Sequence, residues 1–309
     1  MNRITRTFQD LKQAGRKGLV GYLTAGDPDP VRSERHIREA IAGGLDILEL
    51  GVPFSDPTAD GPTIQAAAFR ALAAGMTVAK ALEMVRSLRR DFDLPIVLFG
   101  YANPFLKYGY ERICADAVAA GVDGMLVVDL PFEESRELRD HMAGRELCLI
   151  PLVSPTTSPE RAAETLKDAQ GFVYYIMVKG VTGARESTAA GVGEHIRALR
   201  RCTSLPIAAG FGVSSGDQAR AVAREADAVV VGSALVKAAQ DGRLPGLGRE
   251  LRQAIGLLRP LEGSDSLKRT RYHGSSSCRS GCPMHTWIRW ASSIMPTTLS
   301  TSRWLARPS

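Results

Sequence analysis

Glu49 stands inside an apolar run, Asp46-Ile47-Leu48-Glu49-Leu50, where a carboxylate is out of place. Read as a strand, the run puts Ile47 and Glu49 on one face and Leu48 and Leu50 on the other. An ionised carboxylate buried there costs several kcal/mol unless it is paired, hydrogen-bonded or protonated. The run breaks at Gly51 and Pro53 into a loop that carries Ser55, Asp56 and Asp60. One acid on a strand end and another on the following loop can approach a substrate from opposite sides. The pair suits proton transfer: burial raises the pKa of one carboxyl while its neighbour, on a wetter loop, stays ionised. Taken singly, Glu49 reads equally well as part of a core polar network, and Asp60-Gly61 as a turn.

The elements that must hold these residues alternate regularly. After a short amphipathic helix over 5–13, the pattern predicts strands over 18–24, 46–50, 95–100, 124–129, 147–153, 172–177, 206–209 and 228–231. Helices fall between them, reaching to 42 and then covering 62–74, 78–90, 110–120, 133–143, about 193–200, 215–224, 233–239 and about 246–258. Ser158-Pro159-Glu160 opens one more, with a cap, a first-turn proline and an early acid. Eight such strand–helix alternations predict an α/β chain folded as a (β/α)8 TIM barrel over 1–260. Chemistry in that fold lies at the C-terminal ends of the strands. Here those ends carry Glu49, Asp60, Tyr101-Ala102-Asn103, Asp129, Tyr174 and several glycines, and the opposite loops carry nothing comparable.

The glycines fall after the last three strands, as Gly180-Val181-Thr182-Gly183, Gly210-Phe211-Gly212 and Gly232-Ser233, each ahead of a helix. Glycine lets backbone N–H groups approach an anion closely, and a helix N-terminus adds a favourable dipole. The three motifs together predict a phosphate site beside the last three strands. They contain no Lys or Arg, so binding there rests on backbone donors.

The run Glu-Leu-Gly-Val-Pro-Phe-Ser-Asp-Pro, followed by Ala-Asp-Gly-Pro-Thr-Ile-Gln over residues 48–65, closely resembles the tryptophan synthase α subunit family. The resemblance extends from near the start of the chain to about Leu258. It implies a lyase: retro-aldol cleavage of indole-3-glycerol phosphate to indole and glyceraldehyde 3-phosphate. It implies Glu49 as the proton-transferring acid and base, Asp60 as the carboxylate facing the indole N–H, and Tyr174 as a catalytic tyrosine, with the substrate phosphate held at Gly183, Phe211, Gly212, Gly232 and Ser233. Thr182 then belongs to a loop that closes over the site; Met177 stands nearby where the family usually has a serine. The resemblance also implies an α2β2 assembly with a β subunit that carries pyridoxal phosphate and receives the indole, with no cofactor in this chain. Pro53, Asp56, Pro57 and Asn103 match positions that meet that partner. A Schiff-base aldolase would need a strand lysine, and the predicted strands hold none. A catalytically silent barrel that binds a phosphorylated ligand and activates a partner is the alternative reading.

Composition bounds the rest. The net charge of +6 is confined to the end of the chain: up to residue 258 there are 31 basic and 31 acidic residues. A basic face for nucleic acid is therefore not expected on the barrel. The longest apolar runs are strand-length and the N-terminus lacks a secretory apolar core, so a cytoplasmic chain without membrane spans is expected. Cys114, Cys148 and Cys202 are widely spaced, which predicts reduced thiols and no metal site. All three tryptophans fall within 261–309, a Ser/Thr/Arg-rich extension expected to be disordered. Its Cys278, Cys282 and His285 lack a clear fourth ligand for a metal.

Overall fold

Register, more than any single element, organises this barrel. In a computed structural model, residues 1–176, 187–210 and 212–256 are described, residues 187–191 without their side chains. The strands are β1 (Gly18–Thr24), β2 (Ile47–Gly51), β3 (Ile96–Gly100), β4 (Gly124–Val127), β5 (Cys148–Leu149), β6 (Leu152–Val153), β7 (Val173–Ile176), β8 (Ile207–Gly210) and β9 (Ala228–Val231). They pair in the order β5-β4-β3-β2-β1-β9-β8-β7-β6, all parallel. Both ends of that order fall on the single stretch 148–153. Its first half pairs with β4 and its second with β7, so the sheet closes on itself. The predicted fifth strand is thus divided at Ile150-Pro151. Ile150 N–H donates to Met125 O at 2.8 Å, and Pro151, which has no N–H, gives its carbonyl to Tyr174 N–H at 2.9 Å.

The helices are α1 (Arg3–Gln13), α2 (Pro30–Ala42), α3 (Pro62–Ala73), α4 (Val78–Leu88), α5 (Ala102–Tyr108), α6 (Tyr110–Ala120), α7 (Arg136–Met142), α8 (Pro159–Leu166), α9 (Ser187–Leu199), α10 (Gly216–Glu225), α11 (Ser233–Gln240) and α12 (Leu244–Ile255). Side-chain caps start several of them: Asp29, Thr77, Ser158 and Ser215 each accept a first-turn N–H. Three stretches differ from the sequence reading. No helix was expected between 100 and 110, yet α5 forms there, because a proline in the first turn removes only an N–H with no intrahelical partner. The helix expected from 133 is a 3-10 turn, Phe132–Glu134, and then α7. Between them the buried Ser135 hydroxyl donates to Phe132 O at 2.7 Å. The helix expected from about 193 begins at Ser187, two glycines having weakened its pattern. The expected extension over 261–309 lies outside the described residues, and no described helix is long and apolar enough to cross a membrane.

The N-terminal end of the barrel carries acids of a different kind, which tie the sheet together. Asp46, Asp123 and Asp227 each directly precede a strand and each receive an N–H from the first two residues of a neighbouring strand. The donors are Leu19 at 2.7 Å, Ile96 at 2.8 Å and Ile207 at 2.9 Å. Each also meets a guanidinium: Arg252 for Asp46, Arg89 and Arg3 for Asp123, and Arg200 for Asp227. These carboxylates fix strand ends, and each is already paired. Asp123 and Arg89 are almost wholly buried, with side chains 3% and 11% exposed. Replacing Asp123 with Ala leaves Arg89 without its counter-ion and should cost about 3–5 kcal/mol of stability. Urea unfolding of Asp123→Ala checks this; a loss below about 1 kcal/mol contradicts it.

Candidate active site

The pairing carries one interior face around the barrel. Tyr22 lies opposite Glu49, Glu49 opposite Val97, and across the closure Leu152 opposite Tyr174 and Tyr174 opposite Ala208. Paired residues in parallel strands point to the same side, so Tyr22, Glu49 and Tyr174 all face inward. Tyr174 packs with the main core while Tyr175 joins a separate cluster with Leu166, Ile196 and Leu199, the opposed orientation expected from alternation.

Glu49 is fully buried, and neither carboxylate oxygen has a hydrogen-bond partner among the described residues. It is therefore not a member of a core polar network. Burial alone pushes its carboxyl up to about 8, so at neutral pH it holds a proton it can give away. Gly51, two residues on, has no room for a side chain: a Cβ there would fall 2.2 Å from the Tyr22 hydroxyl oxygen. That close approach lets Tyr22 lie over the end of β2, edge-on to Phe99 with ring centroids 5.0 Å apart.

Asp60 sits on the loop between β2 and α3 and is half-buried, less wet than the sequence reading expected. Desolvation raises its carboxyl above the usual range, and a hydrogen bond from the Tyr101 hydroxyl at 3.0 Å pulls it part of the way back. The negative charges of Glu49 and Asp60, with burial foremost, push the Tyr174 phenol far above its ordinary value. The Tyr22 phenol is raised in the same way, by burial and then by Asp60. These phenols stay neutral and can serve as donors. Two carboxyls of different environment and three tyrosines thus share the mouth of the barrel.

The phosphate motifs are described in part. Gly183 and Phe211 lie outside the described residues, as do Thr182 and Met177. Gly212 adopts φ +69°, which disfavours any residue with a Cβ. Gly232 and Ser233 open α11, which has no side-chain cap, whereas the hydroxyl of Ser215 caps α10. The first N–H groups of α11 are thus left for an external acceptor such as an oxyanion. An added Cβ at Gly232 would come 3.6 Å from the Cβ of Tyr22, so this anion position adjoins the interior face bearing Glu49.

Of the residues expected to meet a partner, Asp56 and Asn103 are exposed on the outer surface of their loops. Pro53 and Pro57 are buried and can only shape the loop. Asp129, another strand-end acid, accepts the Ala102 N–H at 2.7 Å and so holds the start of α5. Among the described residues no cluster of three His, Cys, Asp or Glu side chains is placed to hold a metal. A cavity of about 650 Å³ between α7 and α8 is lined by neither Glu49 nor Asp60. Sequence reasoning gave no role to Tyr22 or Tyr101. The register of β1 against β2 would have revealed the first; only the folded loop reveals the second.

The carboxyl of Glu49 has a consequence for stability. Its folded pKa lies above its unfolded one, so folding takes up a proton between about pH 4.5 and 8. Its contribution is fully present below pH 4.5 and is lost as pH rises towards 8, by about 1.4 kcal/mol per unit. Glu49→Gln should therefore gain on the parent chain steadily from pH 5 to 8 in denaturant unfolding. A difference independent of pH would contradict the buried, unpaired state.

Comparison with known proteins identifies what the chain is similar to in sequence and fold. Residues 8–255 match the family model described as tryptophan synthase alpha chain. A tryptophan synthase alpha chain of Geobacter sulfurreducens is 49% identical over 264 residues, covering 85% of this chain and all of the relative. One from Gluconobacter oxydans is 48% identical, covering 85% and 97%. The crystal structure of tryptophan synthase subunit alpha from Legionella pneumophila aligns with TM-score 0.76 at 37% identity, over 82% of this chain and 98% of that one. A chain of the M. tuberculosis tryptophan synthase, in its aminoacrylate-bound form, aligns with TM-score 0.76 at 33% identity, over 82% and 100%.

Proposed function

This chain belongs to the tryptophan synthase alpha chain family, and on that premise we propose that Glu49, Asp60 and Tyr174 divide the work of its reaction. The reaction is the lyase cleavage of indole-3-glycerol phosphate to indole and glyceraldehyde 3-phosphate. Indole C3 must gain a proton, which leaves positive charge on the ring nitrogen. The glycerol hydroxyl next to C3 must lose one, so that its electrons form the aldehyde C=O as the C–C bond breaks. The electron pair of that bond returns to the ring and neutralises the nitrogen. One proton enters and one leaves.

A single residue can do both if it begins protonated. Glu49 begins so, because its carboxyl sits at about 8. Having protonated C3, it becomes the carboxylate that takes the hydroxyl proton, and the observation carrying this reading is that buried, unpartnered acid. Asp60 accepts the indole N–H and stabilises the charge that develops there. Tyr174, neutral and beside both acids, donates to substrate oxygen. The phosphate rests on Gly183, Phe211, Gly212, Gly232 and Ser233, with the loop bearing Thr182 closing over it.

The partner in this proposal is a tryptophan synthase β subunit, in an α2β2 assembly that receives indole for L-tryptophan synthesis. Asp56 and Asn103 offer exposed contacts, and Pro53 and Pro57 shape the docking loop. Pyridoxal phosphate belongs to that partner, and this chain works without a cofactor in the cytoplasm. The catalytic domain is residues 1–260, with 261–309 an extension outside it.

The test is release of glyceraldehyde 3-phosphate from indole-3-glycerol phosphate, with and without a purified β subunit. Slow release that rises sharply with the partner is expected. Glu49→Gln should lower kcat by about 10²–10⁴-fold while the substrate still binds. Undiminished turnover in that variant removes Glu49 from its role; no release by the parent chain in either condition overturns the assignment.

A further inference from the structure

We propose that Tyr101 is the positioning residue for Asp60, holding that carboxylate ionised and aimed at the indole N–H. The inference rests on the role given above to Asp60. The Tyr101 hydroxyl is used twice. It accepts the Ala59 N–H at 3.0 Å and donates to Asp60 Oδ2 at 3.0 Å. With a lone pair committed to Ala59, the hydroxyl has its single proton directed at Asp60, and an acceptor there is best when ionised. Among the described residues Tyr101 is the donor to that carboxylate; the remaining contacts of the loop are elsewhere. Asp60 N–H donates to Pro57 O at 3.1 Å, and Gln65 Nε2 donates to Asp60 O at 3.0 Å and Pro57 O at 3.3 Å. These fix the loop backbone and leave the direction of the carboxylate to Tyr101. Its second oxygen is then left to receive the substrate.

Tyr101 is itself held firmly. Its side chain is buried at 3% exposure and its ring lies against Phe54 with centroids 5.2 Å apart. It directly precedes α5, whose first N–H is bonded to Asp129. The anchor of Asp60 is thus carried by a strand end, not by the loop on which Asp60 sits.

Tyr101→Phe keeps the ring and removes the hydroxyl. With an ionised acceptor at stake, kcat should fall roughly 10- to 100-fold with KM changed less than about threefold. Loss of the donor disfavours the carboxylate form, so the acidic limb of kcat/KM should move to higher pH. Because Tyr101 acts through Asp60, Tyr101→Phe added to Asp60→Asn should cost no more than Asp60→Asn alone. Asp60→Asn inactive beside a Tyr101→Phe with parental kcat and acidic limb overturns the positioning role and leaves that of Asp60 standing. Losses that multiply in the double variant also overturn it. An active Asp60→Asn removes the premise instead.

Discussion

The structure turns on one unmet demand: a carboxyl in the middle of a β-barrel wall with nothing to bond to. Glu49 is fully buried away from bulk solvent, and among the described residues nothing hydrogen-bonds its carboxyl oxygens. The remaining way to relieve the cost of burial is to keep the proton. That requirement makes Glu49 an acid near neutral pH. It also makes the folded state pay attention to pH in a direction opposite to that of a salt-bridged carboxylate. A protein tolerates such a residue only where the surrounding structure is strong enough to hold it.

That strength comes from the other end of the same strands. Asp46 precedes β2 by one residue and is bonded to Leu19 N–H and Arg252, whereas Glu49, three residues later, is bonded to nothing described. Asp123 and Asp227 repeat the arrangement around the barrel. Acidic side chains at the N-terminal end are thus satisfied, whereas Glu49, farther along the same strand, has no partner among the described residues. The first kind fixes register; register then sets Tyr22, Glu49 and Tyr174 on one inner face. Stability and reactivity are separated along the length of a five-residue strand.

Much of this was legible in the sequence. Glu49 was visible because charge interrupts an apolar run, β1 and β9 because β-branched and apolar residues end at glycine or at a helix start, and α8 because Ser158 caps it. What was hidden depended on contacts between distant segments. Asp123 and Asp227 look like ordinary loop acids, and Asp46 like the first residue of its own strand, until the neighbouring strand presents its N–H. Helix α5 was concealed by a proline that its first turn accommodates. Asp60 was expected on a wetter loop, but burial raises its carboxyl, and the residue that counters this, Tyr101, comes from the end of β3. Tyrosine at a strand end carries no signal of its own; it acquires one when a loop folds back onto its hydroxyl.

The most direct test of this account is to titrate Glu49 itself, following its side-chain carboxyl by ¹³C NMR in the folded chain, with Glu49→Gln identifying the signal. A midpoint near 8 is expected, far above glutamate's ordinary value of about 4.5. A midpoint below about 5, in the ordinary range for glutamate, would contradict it, since Glu49 would then be ionised at neutral pH and unable to supply the first proton.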